Sequence, residues 1–160
     1  MAPQWTGEKM RVAIACDHGG FPLKNTVILS AKALGHEIID FGTDNGDVSV
    51  DFPDYVFKVG DAINRGVADR GIVICGSGIG ACVAANKMKG IIAGLCHDHY
   101  SAHQGVEHDH INVLCLGARI IGIALADEIT QAFLSATKDD DIRFVRRMEK
   151  VRKLEEFGHL

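Results

Sequence analysis

The sequence contains no apolar run long enough to cross a bilayer as a helix, which excludes a helical membrane protein. It has no excess of positive charge. Seventeen Lys and Arg against twenty-one Asp and Glu leave a formal charge of −4, whereas a general nucleic-acid binder is basic. No CxxC pair occurs. The five cysteines, Cys16, Cys75, Cys82, Cys96 and Cys115, are odd in number and mostly end or interrupt apolar runs. That excludes a disulfide framework and suits reduced thiols in the cytosol. Buried thiols of this kind act as small hydrophobes, the expected role of all but Cys75. No repeat, linker or low-complexity tract interrupts the chain. Met1 to Lys9 is polar and lacks the apolar middle of a signal peptide, so residues 1–10 are expected to form a disordered lead-in.

With 160 residues, 47% of them hydrophobic, the chain can bury one real core. A single cytoplasmic domain over 1–160, with neither membrane nor nucleic-acid partner, is expected. Apolar runs of strand length recur at Val12–Cys16, Glu37–Phe41, Gly71–Cys75, Ile91–Cys96 and Val113–Leu116. Between them lie helical patterns, with Leu23, Val27, Ser30 and Leu34 on one face, and Val56, Val59, Ile63 and Val67 on another. Continuous apolar strands alternating with amphipathic helices imply a parallel sheet covered on both sides. The expected class is α/β: a three-layer, Rossmann-like α/β/α sandwich with a five-stranded parallel sheet and an extended C-terminal helix over 139–157. Asp139–Asp141 marks the start of that helix, with acids at the positive end of its dipole. Its basic residues read as a solvated face, except that Arg143 and Arg147 share one side and could grip a phosphate.

Ligands of an open parallel sheet bind beyond the carboxyl ends of the strands, near a switch point. After the first strand come Asp17, His18, Gly19 and Gly20, readable as contacts to a small ligand or as a helix cap by Asp17 beside a surface histidine. After the third comes Cys75-Gly76-Ser77-Gly78-Ile79-Gly80-Ala81, leading into a helix. Glycines let the backbone turn tightly and aim several N–H groups at one point, an anion hole for a phosphate or an oxyanion. Cys75 stands at its lip, where the same dipoles favour the thiolate. Gly76, Gly78 and Ala81 also fit a GxGxxA dinucleotide fingerprint, with Asp98 near the acidic position. Such a fingerprint ordinarily follows the first strand, and two glycine turns at neighbouring strand tips suit a compact phosphosugar better. Five of the eight histidines crowd into His97–His110, at spacings that match no strong zinc motif, so no metal is expected. After the fifth strand, Arg119 offers a cation to the same end of the sheet.

Taken in order, these segments resemble the B-type ribose-5-phosphate isomerase family, which includes galactose-6-phosphate isomerase subunits. The resemblance runs from Val12 to about Val151. It rests on Cys16-Asp17-His18-Gly19-Gly20-Phe21, Asp51-Phe52-Pro53-Asp54-Tyr55, Cys75-Gly76-Ser77-Gly78-Ile79-Gly80, Ala84-Ala85-Asn86-Lys87, Tyr100-Ser101-Ala102, Asn112-Val113-Leu114 and Gly117-Ala118-Arg119. It implies a sandwich whose first and third strands are neighbours, and a homodimer with sites at the interface and the C-terminal helix reaching across. It implies Cys75 as the base for the proton on C2, and the Gly76–Gly80 amides, Gly78 and Ile79 included, as holders of the enediolate. His108 would open the sugar ring with help from Asp17 and Ser77, while His18, Arg119, Arg143 and Arg147 bind the phosphate. One branch of the family has a glutamate base where this chain has Ala81, so Cys75 places the chain in the cysteine branch. Asp109 stands where the family often has Asn, and an extra negative charge beside the sugar would alter substrate preference. His97-Asp98-His99-Tyr100-Ser101 is similar to the branch acting on tetrose phosphates. Ribose 5-phosphate is the first expectation for substrate and another phosphosugar the second. Proton shuttling between adjacent carbons requires no cofactor. Readings from other classes are a non-catalytic sugar-phosphate binder, which has no need of a thiol at the anion hole, and a nicotinamide-dependent oxidoreductase.

Overall fold

A computed structural model describes residues 7–160. Residues 1–6 of the expected lead-in lie outside the described residues. Met10, at its end, is tied in by Glu37 N donating to its carbonyl at 2.9 Å and by its own N–H donating to His36 Nδ1 at 3.2 Å.

The elements alternate as the apolar pattern implies. They are β1 Arg11–Cys16, α1 Phe21–Ala33, β2 Glu37–Asp40, α2 Phe52–Asn64, β3 Arg70–Cys75, α3 Ile79–Ala85, β4 Ala93–Leu95, α4 His99–Asp109, β5 Val113–Gly117, α5 Ile123–Ser135 and α6 Ile142–Phe157. The five strands form one parallel sheet in the order β2-β1-β3-β5-β4. Alternate residues of each central strand feed opposite faces. Val12, Ile14, Ile72, Ile74, Leu114 and Leu116 pack beneath α1, α4 and α5. Ala13, Ala15, Val73, Cys75 and Cys115 pack beneath α2 and α3. Small side chains on the second face let α3 sit close to the strand tips.

Two boundaries depart from expectation. The run Ile91–Cys96 yields a strand only over Ala93–Leu95. Ile91 N closes a turn onto Met88 O, and the N–H groups of Ile92 and Ala93 donate to the side-chain oxygens of Asn112 and Asn86 instead of to a strand. Val67, expected on the face of α2, lies beyond it, because the chain reverses through Gly66 at φ +70°. The last helix starts at Ile142, with Asp141 as its cap accepting from Arg143 N at 2.8 Å. It is about 24 Å long at 1.5 Å per residue, and Met148 is its one buried residue.

Leaving β1 the chain turns to β2 on one side, and β3 joins on the other side of β1, so the gap above β1 and β3 is a switch point. The register sets Cys16 beside Ile74 and Cys75 beside Gly117, which brings the residues after β1, β3 and β5 together. The long segment Gly42–Phe52 lies over this end, and Phe52 itself opens α2. Lys24 pins the segment, its ammonium reaching Asp40 at 2.8 Å, Thr43 O at 3.0 Å and Asp44 at 3.2 Å.

Candidate active site

Above the switch point is an open cavity of about 350 Å³ lined by Asp17, Cys75, Gly76, Ser77, Gly80 and Arg119, with Phe52 and Ile120 as apolar walls. A larger hollow of about 480 Å³ lies between α6 and the turn before β4, around Ile91, Val151 and Leu154. It holds no thiol or imidazole and sits at the amino end of β4, so the smaller cavity is the candidate site.

Two glycines make the cavity possible. A Cβ on Gly20 would stand 2.0 Å from Ile74 O, so only glycine lets the turn after β1 press against the tip of β3. Gly78 has φ +79°, and this left-handed turn folds the chain back so that its N–H donates to Cys75 Sγ at 3.1 Å. Cys75 is buried at the floor with this amide on its sulfur. Asp17 is also buried, and its Oδ1 accepts from Gly20 N at 2.8 Å. The cap residue of α1 is Gly20, so the helix-cap reading of Asp17 is set aside. Ser77 Oγ accepts from Ile79 N at 3.2 Å. Among the described residues, the Gly76 and Ser77 amides have no acceptor and remain available to a ligand. Arg119 is held by its own N–H on Gly76 O at 3.0 Å, and its Nη1 lies 3.2 Å from where a Cβ of Gly76 would be. At the rim, His18 Nδ1 accepts from Val50 N at 3.2 Å, which leaves the ring proton on Nε2 as a donor.

The remaining expected site residues form a second group that does not line this cavity. His108, near the end of α4, stacks on Phe144 of α6 with centroids 3.8 Å apart and rings 10° from parallel. Arg143 and Arg147 flank the same ring at 5.7 and 5.8 Å. The Arg143 guanidinium grips Asp141 through Nε at 3.0 Å and Nη2 at 2.8 Å, and these bonds pull the Asp141 carboxyl down to about 2. Asp109 is exposed at the last turn of α4. Gln104 and Phe144 were not singled out from the sequence. Gln104 stands one helical turn before His108, a spacing that could have flagged it, and Phe144 is an aromatic set between Arg143 and Arg147.

The histidine-rich segment resolves into separate jobs. His97 Nε2 accepts from Gly117 N at 2.9 Å, and burial holds its ring below the usual histidine range. Asp98 caps α4, accepting from Ser101 N at 2.7 Å. His103 pairs with Glu107 at 3.2 Å, and His110 caps the helix at φ 54°. Among the described residues no group of three or more His, Cys, Asp or Glu is placed to hold a metal ion.

All five cysteines are free. Burial pushes Cys16 and Cys96 up to about 11. Cys82 is half-buried on α3 with its Sγ 3.6 Å from Ala93 O, and the Cys115 thiol draws it down to about 6, while Cys115 is driven well above the usual thiol range.

The family model described as Ribose/Galactose Isomerase matches residues 12–151. The chain belongs to this isomerase family. Among solved structures of this isomerase fold, ribose-5-phosphate isomerase B of Clostridium thermocellum superposes with a TM-score of 0.87 at 42% identity, over 92% of this chain and 98% of that one. Ribose-5-phosphate isomerase B of Mycoplasma genitalium, solved with bound ribulose-5-phosphate, superposes at 0.85 with 35% identity, over 92% and 97%. The D-erythrulose-4-phosphate isomerase of Pectobacterium atrosepticum is 37% identical over 149 residues, 88% of this chain and 98% of that one. The doubly covered parallel sheet and its C-terminal helix are thus those of the isomerase family. No helix among the described residues is long and apolar enough to cross a membrane.

Proposed function

We propose that the chain interconverts ribose 5-phosphate and ribulose 5-phosphate through a cis-enediolate, with Cys75 as the base. The observation that carries this reading is the Cys75 sulfur at the cavity floor, hydrogen-bonded by the Gly78 amide and ringed by Asp17, Ser77 and Arg119. Cys75 takes the proton from C2 of the open-chain aldose and returns it to C1, while the hydroxyl proton on O2 passes to O1, leaving the carbonyl at C2. The free amides of Gly76 and Ser77, with the rest of the Gly76–Gly80 loop, hold the oxyanion formed between the two steps. A positioned base contributes roughly 10²–10⁴-fold, and each donor to a developing oxyanion about 10²–10³-fold. Neither step calls for a metal or organic cofactor.

His18, Arg119, Arg143 and Arg147 bind the phosphate in this reading, and His108 with Asp17 opens the sugar ring. Because His108, Asp109, Arg143 and Arg147 lie outside the Cys75 cavity of their own chain, a second copy supplies them. Ile142, Val151, Leu154 and Phe157 are exposed along α6, apolar surface that suits burial against such a copy. The five unpaired thiols suit a reducing compartment, the cytoplasm. A second reading, a tetrose phosphate as substrate, is favoured by the erythrulose-4-phosphate isomerase relative and by His97-Asp98-His99-Tyr100-Ser101.

The deciding experiment assays four-, five- and six-carbon aldose phosphates for ketose formation in D₂O. The five-carbon substrate is expected to have the highest kcat/KM, with deuterium appearing at C1 of the ketose product. Preference for a tetrose phosphate transfers the assignment to the second reading, and turnover of none of them removes the isomerase assignment.

A further inference from the structure

Gln104 Nε2 lies 2.9 Å from His108 Nδ1. A carboxamide nitrogen can only donate, so Nδ1 is an acceptor and the ring proton sits on Nε2. The opposite face of the restraint is Phe144, stacked at 3.8 Å and 10°. One contact fixes the rotation of the ring about its bond to the chain, and the other fixes its plane. We propose that Gln104 and Phe144 are positioning residues that hold the His108 ring with Nδ1 toward the Gln104 amide and its Nε2–H aimed at the ring oxygen of a cyclic aldose phosphate. The inference rests on His108 being the ring-opening group.

The chemistry gives this donor a defined place. In a ribofuranose 5-phosphate the hydroxyl proton on O1 passes to a carboxylate, for which Asp17 is the buried candidate. The C1–O4 bond breaks, O1 becomes the carbonyl oxygen, and negative charge develops on O4. The Nε2–H group stabilises that charge until O4 takes the proton released from O1, so protons and electrons balance without His108 losing its own. A base at this position would need the proton on Nδ1, and the Gln104 amide, with its nitrogen turned to Nδ1, disfavours that tautomer.

The same geometry bears on substrate size. In an aldotetrose 4-phosphate O4 is esterified, so no five-membered ring can form and no ring-opening donor is needed. A side chain committed to fixing that donor therefore argues for a sugar of five or more carbons.

The test compares two reactions of the full-length protein. Conversion of ribose 5-phosphate requires ring opening. Entry of deuterium from D₂O into C1 of ribulose 5-phosphate, an acyclic ketose, requires only the base and the oxyanion donors. Gln104→Leu should lower kcat for ribose 5-phosphate about ten- to hundredfold, the scale of a misplaced group, while C1 exchange stays within about twofold; Phe144→Leu should lower ribose turnover by a similar factor, and its exchange falls as well because Arg143 and Arg147 flank the same ring. Gln104→Glu keeps the size but replaces the donor by an acceptor. It should move the His108 proton to Nδ1, visible in long-range ¹H–¹⁵N spectra assigned with His108→Asn, and lower ribose turnover further than Gln104→Leu. The proposal is overturned if wild-type His108 carries its proton on Nδ1. It is also overturned if both reactions fall in parallel in Gln104→Glu, or if ribose turnover is unchanged in all three variants. A wild-type protein with neither reaction would remove the isomerase reading itself, and the tautomer measurement would still decide where Gln104 places the proton.

Discussion

Replacing Gly20 by alanine adds one methyl group at the contact that joins the two halves of the Cys75 cavity. The new Cβ would stand 2.0 Å from Ile74 O, 2.4 Å from Ile74 C and 2.9 Å from Cys75 N, all of them backbone atoms of β3. Ordinary contact requires about 3.5 Å, so the turn after β1 must retreat by more than about 1 Å. That retreat stretches the bond from Asp17 N to Ile74 O, already 3.3 Å long, and carries the Asp17 carboxylate away from Cys75. Overpacking costs about 1–3 kcal/mol and a weakened hydrogen bond about 1 kcal/mol, so about 2–4 kcal/mol of stability should be lost. For a domain of this size that is a fall in Tm of roughly 4–16 °C. Activity should fall further than stability explains, by about 10²-fold in kcat at a temperature where the variant is folded, since a group misplaced by about 1 Å loses that much. Gly122→Ala is the control, because nothing lies within 4 Å of its Cβ and its φ is −88°. Thermal unfolding and ribose 5-phosphate turnover of both variants provide the measurement. A Gly20→Ala enzyme with wild-type kcat would show that the contact between the β1 and β3 tips does not set the distance between Asp17 and Cys75.

Cys75→Ala should lose about 10²–10⁴-fold in kcat with little change in substrate affinity, because the base acts in the transition state while phosphate contacts act throughout; near-normal C2 exchange by that variant would move the base elsewhere. A thiol reagent near pH 7 should label Cys75 and Cys82, the latter because it is drawn down to about 6, and a bound phosphosugar should protect only Cys75; equal protection of both would contradict their separation. Mixing Cys75→Ala with His108→Ala protomers should restore up to about a quarter of wild-type activity in heterodimers with one complete site, whereas no recovery despite subunit exchange would place both groups in one chain. The Asp141 carboxyl is depressed to about 2 by Arg143, so its contribution to capping α6 is complete above about pH 4 and is lost as pH falls through about 2. The helix signal in circular dichroism should show a loss in that window that Asp141→Asn lacks, and identical acid profiles would refute the cap.

The central sheet was legible because β1, β3 and β5 are buried on both faces, so the sequence shows unbroken apolar runs rather than alternation. The same property misplaced the start of β4. Ile91 and Ile92 are as apolar as any strand residue, but the side chains of Asn86 and Asn112 bond the backbone there, and hydrophobicity does not report that competition. Val67 was misread for a related reason: it continues the helical period of α2 after Gly66 has already reversed the chain. The cavity residues could be located because a parallel sheet exposes its carboxyl ends at one edge, so inspecting each strand tip was sufficient. Gln104 and Phe144 were missed because each is placed by its contact with His108, and a residue that contacts another side chain has no signature apart from its spacing. The downward pull on Cys82 comes from Cys115, thirty-three positions later in sequence, so nothing in the run around Cys82 reports it.

The separation of the site residues into two groups has a physical basis in the chain. The Cys75 group is built from backbone geometry: glycines at strand tips, amides without acceptors, and a sulfur fixed by Gly78. Such a group needs the rigid centre of the sheet. The His108 group is built from long side chains on α4 and α6, arranged about one aromatic ring near the surface. Phosphate binding and ring opening need reach and charge, and buried guanidinium groups would carry a heavy desolvation cost at the sheet centre. Exposed helices carry such side chains without that cost. The proposed dimer would let one short chain place a buried thiol base and an exposed cation cluster around the same sugar, since α6 lies away from the Cys75 cavity of its own chain.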